Sequence, residues 1–302
     1  MRRWQRSSIP ILPPRSVKGR AALLAALGAL LAGAVLLSLR CGSQDIPFAQ
    51  LLAALRGGQQ EGTVWRILVH VRVPRTLAAL AAGCALAVAG ALIQAVLNNV
   101  MASPNVIGVN AGAGFFALLA ATLLPAAGGL VPAASFAGAL GTALFIYLLA
   151  VKAGLSRTTL ILAGVAVSSI LTAGVNALTL LYPDQTVGAA GFMLGGFSGV
   201  TLAAVRGAAG YLLAGGAVSF AGLLGFVGLL VPHMARRLVG GDNRWLLPAS
   251  ALLGGGFVLL CDVLARVLFA PFELPVGIVM SLLGGPFFLS LLLRHKRSRV
   301  YD

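Results

Sequence analysis

Long apolar runs, separated by short basic or turn-rich segments, organise this chain from end to end. The first run, Ala21 to Leu39, would be about 28 Å long as a helix at 1.5 Å per residue, close to the thickness of a bilayer's hydrocarbon core. Others follow at about 76–97, 109–124, 132–151 and 159–181, punctuated by Pro104, Pro125, Pro132, Lys152 and Arg157. After Gly199 come an apolar region over about 203–235, a basic turn with Arg236, Arg237 and Arg244, a span over 246–270, a corner over 270–274 and a last span over 275–293. The pattern predicts an all-α fold, a polytopic transmembrane helical bundle of about eight to nine spans.

Composition supports that reading and excludes others. With 59% hydrophobic and 10% charged residues and a mean hydropathy of +0.98, the chain carries more apolar surface than a soluble core could hide. The formal charge of +15 does not indicate nucleic acid, because the basic residues sit in flanks between apolar runs without interleaved aromatics. Arg2, Arg3, Arg6, Arg15, Lys18 and Arg20 precede the first run, and Arg294, Lys296, Arg297 and Arg299 follow the last. The positive-inside rule then places both termini of this multi-pass membrane protein in the cytoplasm. The expected organisation is a basic tail over 1–20, a transmembrane domain over 21–293 and a second basic tail over 294–302. Arg40 before Cys41 argues against a cleaved leader and for a retained first helix. Residues 40–75 and 182–200 are expected as outer connecting segments, and 98–108 and 152–157 as inner loops.

Little else in the composition suggests chemistry. Cys41, Cys84 and Cys261 lie far apart without metal or redox spacing. Glycines four apart, at 108 and 112, 191 and 195, and 195 and 199, predict close helix packing. His233 has no HExxH context, and His70 and His295 lie in basic flanks, so neither a metal nor any other cofactor is expected. His233 follows Pro232 and precedes Arg236, which suits a helix start or turn near the cytoplasmic surface.

Several ordered segments resemble the permease subunits of iron-siderophore, haem and cobalamin ABC importers, the FecCD/BtuC-like family. They are Val71 to Arg75 (VRVPR), Gly83 to Gln94 (GCALAVAGALIQ), Asn99 to Gly108 (NVMASPNVIG), Leu162 to Ala166, Met193 to Phe197, Gly225 to Arg236 (GFVGLLVPHMAR), Asp262 to Arg266, and Pro271 to Gly277 (PFELPVG), followed by Gly284-Gly-Pro286-Phe-Phe. The resemblance implies a transport subunit rather than an enzyme. It implies a second permease copy as homodimer or pseudo-homodimer, separate ATP-binding cassette ATPase subunits, a substrate-binding protein and membrane lipid as partners, and no nucleic acid. It further implies that Arg72, Arg75 and Arg266 dock the binding protein, and that Asn99, Val100 and Met101 form a translocation gate, with Ser156 and Thr158 as weaker gate candidates whose ordinary role is a helix N-cap. Val100 stands where the family has proline, which frees a backbone dihedral. A ferric siderophore is the expected cargo, with haem or cobalamin as alternatives.

A reading of another class remains at this stage: a membrane-embedded enzyme or ion channel using Asp262, Glu273 and His233 as a buried relay. The chain has no GxxxxGK[ST] motif, so ATP hydrolysis would belong to a partner. Compared with the family, residues 200–232 are too short for both a sixth span and the cytoplasmic ATPase-coupling loop. Basic ends on both termini require an even number of crossings, and a single tilted or broken crossing over 203–232 would give eight.

Overall fold

A computed structural model describes residues 16–42, 45–55, 62–100, 102–125, 129–154, 156–202 and 224–297. These residues form helices and connecting turns with no strand among them. The helices are α1 (Val17–Arg40), α2 (Phe48–Leu55), α3 (Thr63–Val96), α4 (Val109–Leu123), α5 (Leu130–Lys152), α6 (Arg157–Leu181), α7 (Pro183–Leu194), α8 (Val227–Val239), α9 (Asn243–Val267) and α10 (Val276–Arg297). Among the described residues α1, α3, α5, α6 and α9 are long and apolar enough to cross a membrane, and Val109–Leu123 and Val276–Ser290 are shorter apolar helices.

The helix ends follow from local chemistry. Ser16 caps α1 by accepting from the Gly19 amide at 3.2 Å, Ser156 caps α6 by accepting from Thr159 N at 3.0 Å, and Asp242 caps α9 by accepting from Arg244 N at 3.0 Å. Gly108, with φ +73°, turns the chain from a short 3₁₀ segment at Pro104–Ile107 into α4.

The core centres on α3, which packs on α9 and α8, while α1 lies against α9. Bulk cannot fit at these crossings. A Cβ on Gly83 would overlap the carbonyl of Gly254, the reverse also holds, and a Cβ on Gly90 would overlap Gly228. The α4–α5 pair meets in the same way at Gly112 and Gly138. In lipid, where apolar side chains gain nothing by leaving one another's company for the bilayer, such backbone approach supplies the dispersion contact that holds helices together.

Several sequence expectations need correction. The second long helix begins at Thr63 rather than near residue 76, because Arg72 and Arg75 find internal partners and a π-helical stretch at Leu68–Arg72 keeps the chain helical through them. Residues 40–75 also contain α2, and the expected outer loop 182–200 contains α7, started by Pro183 at its first turn with Asp184 beside it. His233 and Pro232 lie inside α8, not at its start. The last helix continues to Arg297, into the expected tail. Of the flagged glycines Gly108 and Gly112 make tight approaches, Gly108 to Ile146 and Gly112 to Thr142 and the Gly138 carbonyl. Gly191 and Gly199 face open space, and Gly108, Gly195 and Gly199 have positive φ. The crossing expected over 203–232 lies, for residues 203–223, outside the described residues.

Candidate functional site: a charged cluster, a polar groove and a turn

At the Arg40 end of the bundle, three arginines and two carboxylates converge. Asp262, fully buried on α9, accepts from Arg75 Nε at 3.0 and 3.2 Å, and its oxygens lie 3.0 Å from Arg75 Nη2 and 3.1 Å from Arg266 Nη2. Arg75 Nη1 reaches Glu273 Oε2 at 2.6 Å, and Ser198 Oγ donates to the same oxygen at 3.3 Å. Arg266 donates from Nη1 to the carbonyls of Ser38 (3.2 Å) and Cys41 (3.1 Å), and from Nη2 to Ser38 Oγ (3.0 Å). Arg72 donates to the carbonyls of Leu39 (2.8 Å) and Arg40.

Thus Arg72 and Arg266 satisfy carbonyls near the end of α1, which an ended helix leaves without intrahelical partners, and Arg75 ties α9 and the corner after it to α3. The arginines are 4%, 5% and 3% exposed for Arg72, Arg75 and Arg266. All three arginines proposed for docking are thus engaged inside the bundle, where two ion pairs join Arg266 to Asp262 and Arg75 to Glu273. Glu273 lies beyond the end of α9. Burial opposes its charge, but the hydrogen bond and charge of Arg75, the Ser198 hydroxyl and the charge of Arg266 together outweigh burial and hold its carboxyl below the ordinary glutamate range.

At the opposite end, α3 finishes in a tight turn. Asn98 takes φ +46°, a left-handed conformation that asparagine tolerates. Asn99 N donates to Gln94 O at 3.1 Å and Ala102 N to Asn99 O at 3.1 Å. Asn99 and Val100 are half-buried, and Met101 lies outside the described residues. Ser156 and Thr158 are exposed at the start of α6, where Ser156 Oγ also pairs with Thr159 Oγ1 at 2.7 Å.

From this turn an open-sided groove of about 540 Å³ follows α6. It is lined by Asn105 and by Ile161, Val165, Ser168, Ser169, Thr172, Ala173 and Asn176. The α6 positions extend over about 22 Å at helical rise. The polar ones fall at 168, 172 and 176, one turn apart, with Ser169 alongside, and none of the groove's lining residues carries a charge. Ser169 Oγ donates back to Val165 O at 2.9 Å, so its donor is satisfied within the helix while its lone pairs face the groove. The relay of Asp262, Glu273 and His233 does not form as a unit. Both acids belong to the arginine cluster, whereas His233 on α8 packs edge-on to Phe287 of α10 and neither of its ring nitrogens has a hydrogen-bond partner among the described residues.

The architecture is a helical bundle with several apolar crossings, a polar groove without charged lining among the described residues, and a buried charge cluster at one end. The family model described as the FecCD transport family matches residues 30–213 and 205–294, and the chain belongs to that family. An uncharacterised ABC transporter permease protein, YvrB, of Bacillus subtilis is 34% identical over 324 residues, covering 88% of this chain and 92% of its own length. The hemin transport system permease protein HmuU of Yersinia pestis is 33% identical (78% and 86% covered), and the cobalamin import system permease protein BtuC of Halobacterium salinarum is 36% identical (83% and 80% covered). A solved inward-facing conformation of a putative metal-chelate type ABC transporter matches the fold with a TM-score of 0.75 at 24% identity, over 91% of this chain and 99% of that one. The chain is thus a transport permease of the ABC importers for iron chelates, haem or vitamin B12.

The alignment with the B. subtilis permease is longer than this 302-residue chain, although it uses only part of it. Such an alignment contains internal positions where the relative has residues and this chain has none. The two stretches matched by the family model overlap at 205–213.

Proposed function

We propose that the protein conducts a ferric siderophore across the bacterial inner membrane, with both termini in the cytoplasm, the arginine cluster at the outer face and the Asn98–Ala102 turn as inner gate. The observation that carries the reading is the groove, which starts at Asn105, in the 3₁₀ segment that follows the turn, and follows α6 with hydroxyl and amide groups. Weak, uncharged polar contacts suit passage of a bulky chelate that must enter and leave without being trapped. A second copy would close the groove's open side. A binding protein would deliver the chelate to the outer face around Arg72, Arg75 and Arg266, and ATPase subunits would drive the cycle.

Uptake of iron-55 presented as a ferric hydroxamate, by an iron-starved deletion strain with and without the restored gene, tests the cargo. Restoration by the gene supports the reading, and no effect on any iron chelate refutes it. Haem and cobalamin are the second reading, favoured by relatives that carry those names.

The gapped alignment with the B. subtilis relative and the overlap of the two stretches matched by the family model support a further part of the proposal, that a span and the ATPase-coupling loop are missing. Carrier-stimulated ATP hydrolysis in the reconstituted complex should then be weak or absent. Hydrolysis at the level of a full-length relative would show that coupling survives.

A further inference from the structure

Pro232 lies inside α8 and has no N–H, so the carbonyl of Gly228, four residues earlier, lacks its helical donor. Gln94, 2% exposed on the last turn of α3, fills that vacancy. Its Nε2 lies 3.4 Å from Gly228 O and 3.4 Å from Leu229 O, and its Oε1 accepts from Arg236 Nη2, one turn beyond the proline, at 3.4 Å. The amide orientation follows from its neighbours, since carbonyls require a donor and a guanidinium requires an acceptor. Each bond is long, but a buried amide with both ends engaged is costly to displace.

The main chain of Gln94 faces the other way, its carbonyl accepting the Asn99 amide that closes the turn after α3. The 3₁₀ segment that follows the turn touches α8: Pro104 Cδ lies 2.9 Å from where a Cβ on Gly228 would stand, and Gly90 approaches Gly228 from one turn above Gln94. One residue therefore holds both halves of the proline-interrupted α8 with its side chain and the turn with its backbone.

We propose that Gln94 is a positioning residue, the clamp through which a displacement of α8 at Pro232 is transmitted to the Asn98–Ala102 turn. The proposal rests on the reading of that turn as the inner gate. Arg236 and Arg237 lie on the part of α8 beyond the proline, and the Arg236–Gln94 bond joins that end directly to the last turn of α3. A break in the helical ladder at Gly228 gives α8 a bending point, and the Gln94 amide sets its angle.

The test is a double-mutant cycle with a local probe in the full-length purified chain. Pro232→Ala restores an N–H to Gly228 O and removes the need for the clamp. Gln94→Leu should therefore lower thermal stability clearly in the native background and markedly less in Pro232→Ala. In a background with the three native cysteines replaced, thiol labelling at Val100→Cys should change severalfold on adding Gln94→Leu, while labelling at Gln50→Cys on α2 stays constant. Gln94→Glu keeps the acceptor for Arg236 but loses the donor, and should shift Val100→Cys labelling in the same direction. Additive stability losses, or unchanged labelling at Val100→Cys, overturn the proposal. The gate reading fails separately if a bulky thiol reagent on Val100→Cys leaves uptake intact.

Discussion

Removing Asp262 should destabilise the protein more than removing any other single charge. Its carboxylate is fully buried and meets two guanidinium groups that are themselves about 95% buried. Asp262→Ala leaves both cations in a low-dielectric setting, with only Glu273 and backbone carbonyls in compensation. Breaking a buried pair by deleting one partner costs about 3 to 5 kcal/mol, which for a chain of this size corresponds to a fall of about 10 °C in melting temperature. Glu273→Gln is the matched control. Its side chain is one-third exposed and its partner Arg75 stays paired with Asp262, so its loss should be near the value for exposed pairs, about 1 kcal/mol or less. The assay is thermal denaturation of the detergent-purified full chain followed by size-exclusion chromatography, at low and high salt. Salt should leave the Asp262→Ala deficit in place, because ions do not screen a buried pair. A melting temperature within about 2 °C of native for Asp262→Ala would show that the arginines are solvated and that the cluster does not hold α1, α3 and α9 together. Because Arg75 and Arg266 are buried and paired, single alanine changes at either should also be severe.

The packing, the cluster's acid sensitivity and the groove can be tested in the same preparation. Gly83→Val forces a side chain into the Gly254 carbonyl and should cost at least the 1 to 3 kcal/mol typical of overpacking, whereas Gly141→Ala, with open space around its Cβ, should be neutral or slightly stabilising in the same melting assay. Glu273 titrates below its ordinary value, so its stabilising contribution is complete above the unfolded pKa of about 4.3 and is lost as pH falls through the lower folded value. The melting-temperature gap between native and Glu273→Gln should therefore close in acid, and a gap independent of pH would contradict the pairing. Thr172→Trp, on the exposed groove wall, should block chelate uptake without changing the melting temperature, while Leu180→Trp, an 82% exposed apolar position on the same helix, should leave uptake unchanged.

How much of this was readable in the sequence depends on whether the determining partner lies nearby along the chain. The long spans were legible because their signal is local: an unbroken apolar run has one economical conformation in lipid, and the helix covering 17–40 differs from the expected one by a few residues at its start. The beginning of α3 was not legible. Arg66, Arg72 and Arg75 interrupt the apolar pattern, and what makes two of them tolerable in a helix is the set of carbonyls around Leu39 and a carboxylate 187 positions away in sequence. No window of a dozen residues contains that information. The glycine contacts divide in the same way. A search for glycines four apart finds one helix presenting two small residues, but the close approaches here pair Gly83 with Gly254 and Gly90 with Gly228, each helix contributing single positions that only the fold brings opposite one another.

The groove is the contrary case, since its signal was local and was passed over. Ser168, Thr172 and Asn176 recur every fourth residue within an otherwise apolar run, a stripe that a membrane helix has reason to keep only where it faces water, a ligand or another helix. Reading 159–181 as a span by average hydropathy hid the stripe, because the average discards the angular position of each residue. For a transport protein that angle matters more than the mean: hydropathy says that the helix crosses, and the direction of its few hydroxyls and amides says where a cargo could pass.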